Sequence, residues 1–81
     1  MELSLGELLK KGVEAHKAGQ LQEAQRLYTT IINVQPNHAD ANHNMGVLAV
    51  GVGKIQASLP FFKAATAANP KIVQFWLSYI N

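Results

Sequence analysis

Leu5, Leu8, Leu9, Gly12, Val13 and Ala15 recur at spacings that fall on one face of a helix. Gly19 follows, and glycine readily takes the left-handed conformation in which helices end. A second such face runs from about Gln22 and carries Ala24, Leu27, Tyr28, Ile31 and Ile32. Pro36 closes it, because the residue before a proline is pushed out of the helical region. The pattern then restarts, with a helix expected from Ala41 to about Val52, a turn at Gly53, and a helix from Ala57 to Ala68 stopped by Pro70. Pro60 is expected near the first turn of that last helix, where a missing N–H costs little. The apolar pattern therefore predicts two pairs of helices.

The pairs resemble each other. Pro36 and Pro70 lie 34 residues apart, as do Gly12 and Gly46, Val13 and Val47, Ala15 and Ala49, Gly19 and Gly53, and Gln22 and Gln56. Leu21 matches Ile55, Leu27 matches Phe61 and Tyr28 matches Phe62 at the same shift. Identities concentrated at glycine, proline and small residues are what a repeated backbone requires, so the chain reads as two copies of one helical hairpin. A hairpin of this size cannot bury both its faces alone, and copies must stack. Small residues at Gly12, Ala24, Gly46, Ser58 and Ala65 let helices approach closely. Tyr28, Phe61 and Phe62 are expected to fill the space between hairpins.

This pattern resembles the tetratricopeptide repeat, whose 34-residue signature is W-x2-L-G-x2-Y, then A-x3-F, then P. The first copy gives Leu8-x2-Lys11-Gly12-x2-Ala15, Ala24-x3-Tyr28 and Pro36; the second gives Asn42-x2-Met45-Gly46-x2-Ala49, Ser58-x3-Phe62 and Pro70. Trp76-x2-Tyr79-Ile80 stands where a third copy would open. Ala15 and Ala49 replace the family's tyrosine, Ile31 and Ile80 replace small residues, and Lys11 replaces a leucine. Lys11 suits an open N-terminal end, where its stem can lie along apolar surface with the charge in water. The resemblance implies an all-α fold of hairpins stacked as a short right-handed α-solenoid. Its units would be 5–38 and 39–72, with 73–81 as the first helix of a third. That last stretch, rich in Phe75, Trp76, Tyr79 and Ile80, would cap the second hairpin or offer a surface to another copy or a downstream segment.

Composition narrows the chemistry. The chain is 48% hydrophobic and 15% charged, which suits a folding domain of 81 residues. It has no cysteine, which removes disulfides, thiolate metal sites and cysteine nucleophiles. No signal-peptide pattern follows Met1, and no apolar window approaches membrane-spanning length, so a cytoplasmic protein without a membrane partner is expected. All five acids (Glu2, Glu7, Glu14, Glu23, Asp40) precede residue 41, and only Lys54, Lys63 and Lys71 carry charge beyond it. Scattered lysines without an arginine are a thin basis for tracking phosphates, and no nucleic acid is expected.

Candidate catalytic groups are few. Ser4, Ser58 and Ser78 sit in no nucleophile motif. His38, Asp40 and His43 in "NHADANHN" invite a metal reading. A loop between hairpins explains them better, with Asn37 and Asp40 supplying turns and a helix cap. His16 is expected to be solvated, and no cofactor is implied. Gly51-Val52-Gly53 follows a helix rather than a strand, which argues against a phosphate cradle.

In the family that the chain resembles, the first helix of each hairpin lines a concave groove that binds peptides. That places Leu9, Lys10, Val13 and Lys17, then His43, Asn44, Val47 and Val50, then Leu77 and Ser78 on the groove. Asn44 stands where related arrays contact a peptide backbone, and an amide can donate to and accept from that backbone at once. The basic clamp that some relatives use for a C-terminal carboxylate is missing, with Leu9, Val13, Gln74 and Ser78 at its positions. The expected function is a non-enzymatic scaffold that binds a peptide or protein segment, with self-association through 75–80 as a second mode. The alternative is a substrate-positioning arm of a longer enzyme such as a transferase.

Overall fold

A computed structural model describes residues 3–69. The described chain is all α-helical: α1 (Leu5–Lys17), α2 (Leu21–Val34), α3 (Ala39–Gly51) and α4 (Ile55–Ala68). α1 and α3 are each 13 residues long, α2 and α4 each 14, and corresponding helices start 34 residues apart. α1 packs along α2 and α3 along α4; α2 then packs on α3, and α1 also touches α3.

The helix ends follow the same shift. Gly19 (φ 78°) and Gly53 (φ 82°) both take the left-handed conformation. Behind them, Gln20 N–H donates to Ala15 O at 2.9 Å and Lys54 N–H to Ala49 O at 2.8 Å, which satisfies a carbonyl that the helix end would otherwise leave bare. At the other breaks Gln35 (φ −135°, ψ 89°) and Asn69 (φ −146°, ψ 77°) are extended, as residues preceding a proline must be.

N-caps occupy Ser4 and His38. Glu7 N–H donates to Ser4 Oγ and Ser4 N–H to Glu7 Oε1, both at 3.1 Å, a reciprocal capping box that holds the Glu7 carboxyl below its ordinary range. Ser4→Ala should lower stability by about 1 kcal/mol in urea unfolding, and Ser4→Asp should restore most of it. At α3 the cap is His38, whose Nδ1 accepts from Ala41 N–H at 3.1 Å. This corrects the assignment of the cap to Asn37 and Asp40. Asn42 closes the loop by donating to Pro36 O at 3.0 Å and His38 O at 2.8 Å.

A second correction concerns Pro60. α4 begins at Ile55, two residues before the expected start, because the turn closes as soon as Gly53 has reversed the chain. Pro60 is therefore the sixth residue of the helix, inside it rather than in its first turn. The carbonyl of Gln56 loses its intrahelical donor there, on an exposed face where water can replace it.

The core explains why the pairs hold together. Ala15, Ala24, Tyr28, Met45 and Leu48 form one buried cluster drawn from α1, α2 and α3, with Leu9, Val13, Ile32 and Phe61 packed against it. α3 is buried nearly all round, at Ala41, Asn42, His43, Met45, Gly46, Leu48 and Ala49, because it has neighbours on several sides. Each aromatic of the pattern has a hole to fill. A Cβ on Gly12 would fall 2.6 Å from a ring atom of Tyr28, and one on Gly46 would meet three ring atoms of Phe62 at less than van der Waals contact. Glycine at these two positions thus admits a ring, rather than a helix backbone as the sequence suggested. Phe62 accordingly fills space within the α3–α4 pair, not between pairs.

Candidate functional site

α1 and α3 present neighbouring faces that form an open groove of ≈ 270 Å³. Val13, His16 and Lys17 of α1, Tyr28 of α2, and His43, Asn44 and Val47 of α3 line it. The spacing is helical on both walls: positions 13, 16 and 17, and 43, 44 and 47, each fall on one face. Tyr28 is wholly buried beneath the groove, because Gly12 leaves room for its ring under α1.

Two histidines shape the floor. His16 Nδ1 and the Tyr28 hydroxyl lie 3.2 Å apart, the proton's direction being set by the imidazole tautomer, and the rings meet edge-on with centroids 5.9 Å apart. His16 is thus half-buried on an aromatic partner and not the solvated helix residue expected. Burial pushes the Tyr28 phenol up, so its hydroxyl keeps its proton at neutral pH. His43 is 4% exposed, tilted at 49° on the ring of Phe62 with centroids 5.7 Å apart. It supports the groove from below while its ring joins the α3–α4 packing.

Burial pushes the His43 imidazole below the ordinary histidine range, and the Asp40 carboxylate one turn away partly opposes this. The folded chain therefore prefers the neutral ring, whereas the unfolded chain takes up a proton at about 6.5. Stability from this preference is fully present above about pH 6.5 and is lost as the pH falls through that value towards the lower folded one. Thermal melts should show a Tm that falls on acidification across this window. His43→Leu, which installs the side chain found at the matching position Leu9, should flatten the His43 part of that slope. An identical slope in wild type and variant would contradict it.

Of the groove residues chosen from sequence, Val13, Lys17, His43, Asn44 and Val47 come together on this surface. Leu9 is half-buried and packs against the core cluster. Lys10 and Val50 are exposed on α1 and α3 but do not line the groove. Leu77 and Ser78, and the self-association residues Phe75, Trp76, Tyr79 and Ile80, lie outside the described residues. His16 and Tyr28 are groove residues that sequence reasoning missed. Their signal was available: His16 lies one position before Lys17 and three after Val13, on the same stripe.

The opposite face of α1 and α2 is also open. Lys11 lies there with Leu8, Ala15 and Leu27, beside an exposed ion pair in which Arg26 Nε donates to Glu23 Oε1 at 2.8 Å. His38, Asp40 and His43 do not gather: His38 Nδ1 is taken by its cap and His43 faces Phe62, and among the described residues no three metal-ligating side chains converge. No helix among the described residues is long and apolar enough to cross a membrane. No protein-family model matches the chain, and a search of curated proteins returns no match.

Proposed function

We propose that this chain is a short helical-hairpin array of the tetratricopeptide type, and that it works as a non-enzymatic scaffold which binds a peptide or protein segment between α1 and α3. One observation supports this reading most. Residues chosen for a groove from their places in a 34-residue pattern, Val13 and Lys17 on one helix and Asn44 and Val47 on the next, line one open surface. The groove suits an extended segment: Val13 and Val47 offer apolar contact, and the half-exposed Asn44 amide can pair with both a backbone N–H and a C=O. The matching helix bounds, glycine turns and ring-filled glycine holes at a shift of 34 residues support the array reading.

The test is selection of peptides from a random library on the 81-residue chain, followed by binding to two charge-insertion variants. Val47→Arg in the groove should weaken the selected peptides roughly tenfold or more, as loss of a central apolar contact does. Ile55→Arg, on a 62% exposed side chain at the start of α4, should leave them unchanged. Peptides that bind Val47→Arg as well as wild type would refute the groove.

A further inference from the structure

The groove has a sign. Its ionisable lining groups are Lys17, His16, His43 and the Tyr28 phenol, and no carboxylate lines it. The nearest acid on its walls is Asp40, one turn before Asn44 on α3. On the other helix pair member, Glu14 and Glu23 both face the opposite, open side of α1 and α2. From residue 41 to the end of α4 there is no acid at all, so nothing on α3 or α4 beyond Asp40 offsets the lysine. Lys10 stands seven residues before Lys17, which on a helix is two turns along the same stripe and roughly 10 Å away, with Val13 between them.

That arrangement selects a partner. From the absence of carboxylates and the Lys10–Val13–Lys17 stripe, we infer that the groove takes an extended acidic segment with apolar residues between its carboxylates. A polyproline-type chain repeats its face every three residues, a step of roughly 9 Å, which matches the lysine spacing. Two carboxylates three residues apart would meet Lys10 and Lys17, an apolar side chain between them would rest on Val13 and Val47, and Asn44 would hold the backbone. Recognition is through acidic side chains within the segment, so it needs no free C-terminus. This inference rests on the groove being the binding surface and adds the chemistry of what it binds.

The test titrates the ¹⁵N-labelled 81-residue chain with three N-acetylated, C-amidated peptides. They share leucine and proline at fixed places and carry Glu, Gln or Lys at every third position. The Glu peptide should bind tightest, shift the amide signals of Val13, Lys17, Asn44 and Val47, and weaken with added salt. Lys17→Glu should weaken it roughly fivefold or more and raise affinity for the Lys peptide, as reversal of an exposed charge pair does. Gln and Glu peptides binding alike, signals moving only on the far side of α1 and α2, or no binding of the Glu peptide would each overturn the inference. A non-acidic library peptide that binds wild type and fails on Val47→Arg would sink it while leaving the groove itself standing.

Discussion

Phe62→Ala should cost about 3–5 kcal/mol, because it empties a site enclosed by α3 and α4 and leaves a cavity that a rigid helix pair cannot close. Phe62 is 4% exposed, sits over Gly46 and carries the tilted His43 ring on its side. Domains of this size hold roughly 4–12 kcal/mol in all, so the variant should be largely unfolded or close to it at 37 °C. The measurement is urea unfolding followed by circular dichroism. Phe62→Leu, which keeps much of the volume, should lose clearly less, and equal losses would mean that the ring is not tightly enclosed. A secondary effect follows from His43: removing Phe62 takes away the ring on which it rests, so the groove floor should loosen as the α3–α4 pair does.

Gly46→Val should cost about 3 kcal/mol, from the opposite side of the same contact. A Cβ there already overlaps the Phe62 ring, and two branches on it would force the ring or the helix to move in a packed interior. Helix propensity works the other way, since glycine is the poorer helix former by nearly ~1 kcal/mol, and overlap has to overcome that gain. Gly51 serves as the control: it lies in α3 with nothing within 4 Å of a built Cβ, so Gly51→Ala should be neutral or stabilising. The two variants also couple. In a Phe62→Ala background the hole is empty, and Gly46→Val should cost little or even stabilise. If the two losses simply add, ring and glycine do not share a contact.

Much of the fold was legible in the sequence for one reason: glycine, proline and aromatics each answer to a specific backbone or packing demand. Gly19 and Gly53 marked the left-handed turns, and Pro36 and Pro70 marked the extended residues before them. The miss at Pro60 has a plain cause. Proline was read as a sign of a helix start, whereas the turn at Gly53 sets that start and proline is tolerated on a face open to water. The cap at His38 was missed because imidazole is an uncommon cap, although Ser4 with Glu7 three residues later was a written-out capping box.

The groove was only partly legible. Helical spacing gave Val13, Lys17, Asn44 and Val47 as one surface, but spacing cannot tell how deep a residue sits. His43 looked like a surface ligand contact and is nearly buried on Phe62, while His16 looked solvated and leans on Tyr28. Both errors come from the same source. A histidine's burial depends on which aromatic rises through the neighbouring glycine hole, and that is a tertiary fact. Lys10 and Val50 share helices with the groove residues yet stand off its lining, because two crossing helices diverge away from their contact.

The central claim is that the two helix pairs use one packing rule, a ring set into a glycine hole at positions 12 with 28 and 46 with 62, and that this rule places α1 and α3 side by side as the walls of the groove. The most direct test is the proton spectrum of the glycine α-positions in solution. An aromatic ring packed against a glycine shifts its α-protons strongly upfield. Gly12 and Gly46 should be shifted in this way, Gly6, Gly19, Gly51 and Gly53 should not, and the Gly46 shift should vanish in Phe62→Leu. Six glycines with ordinary α-proton positions, or a Gly46 shift that survives loss of the Phe62 ring, would contradict the packing on which both the fold and the groove depend.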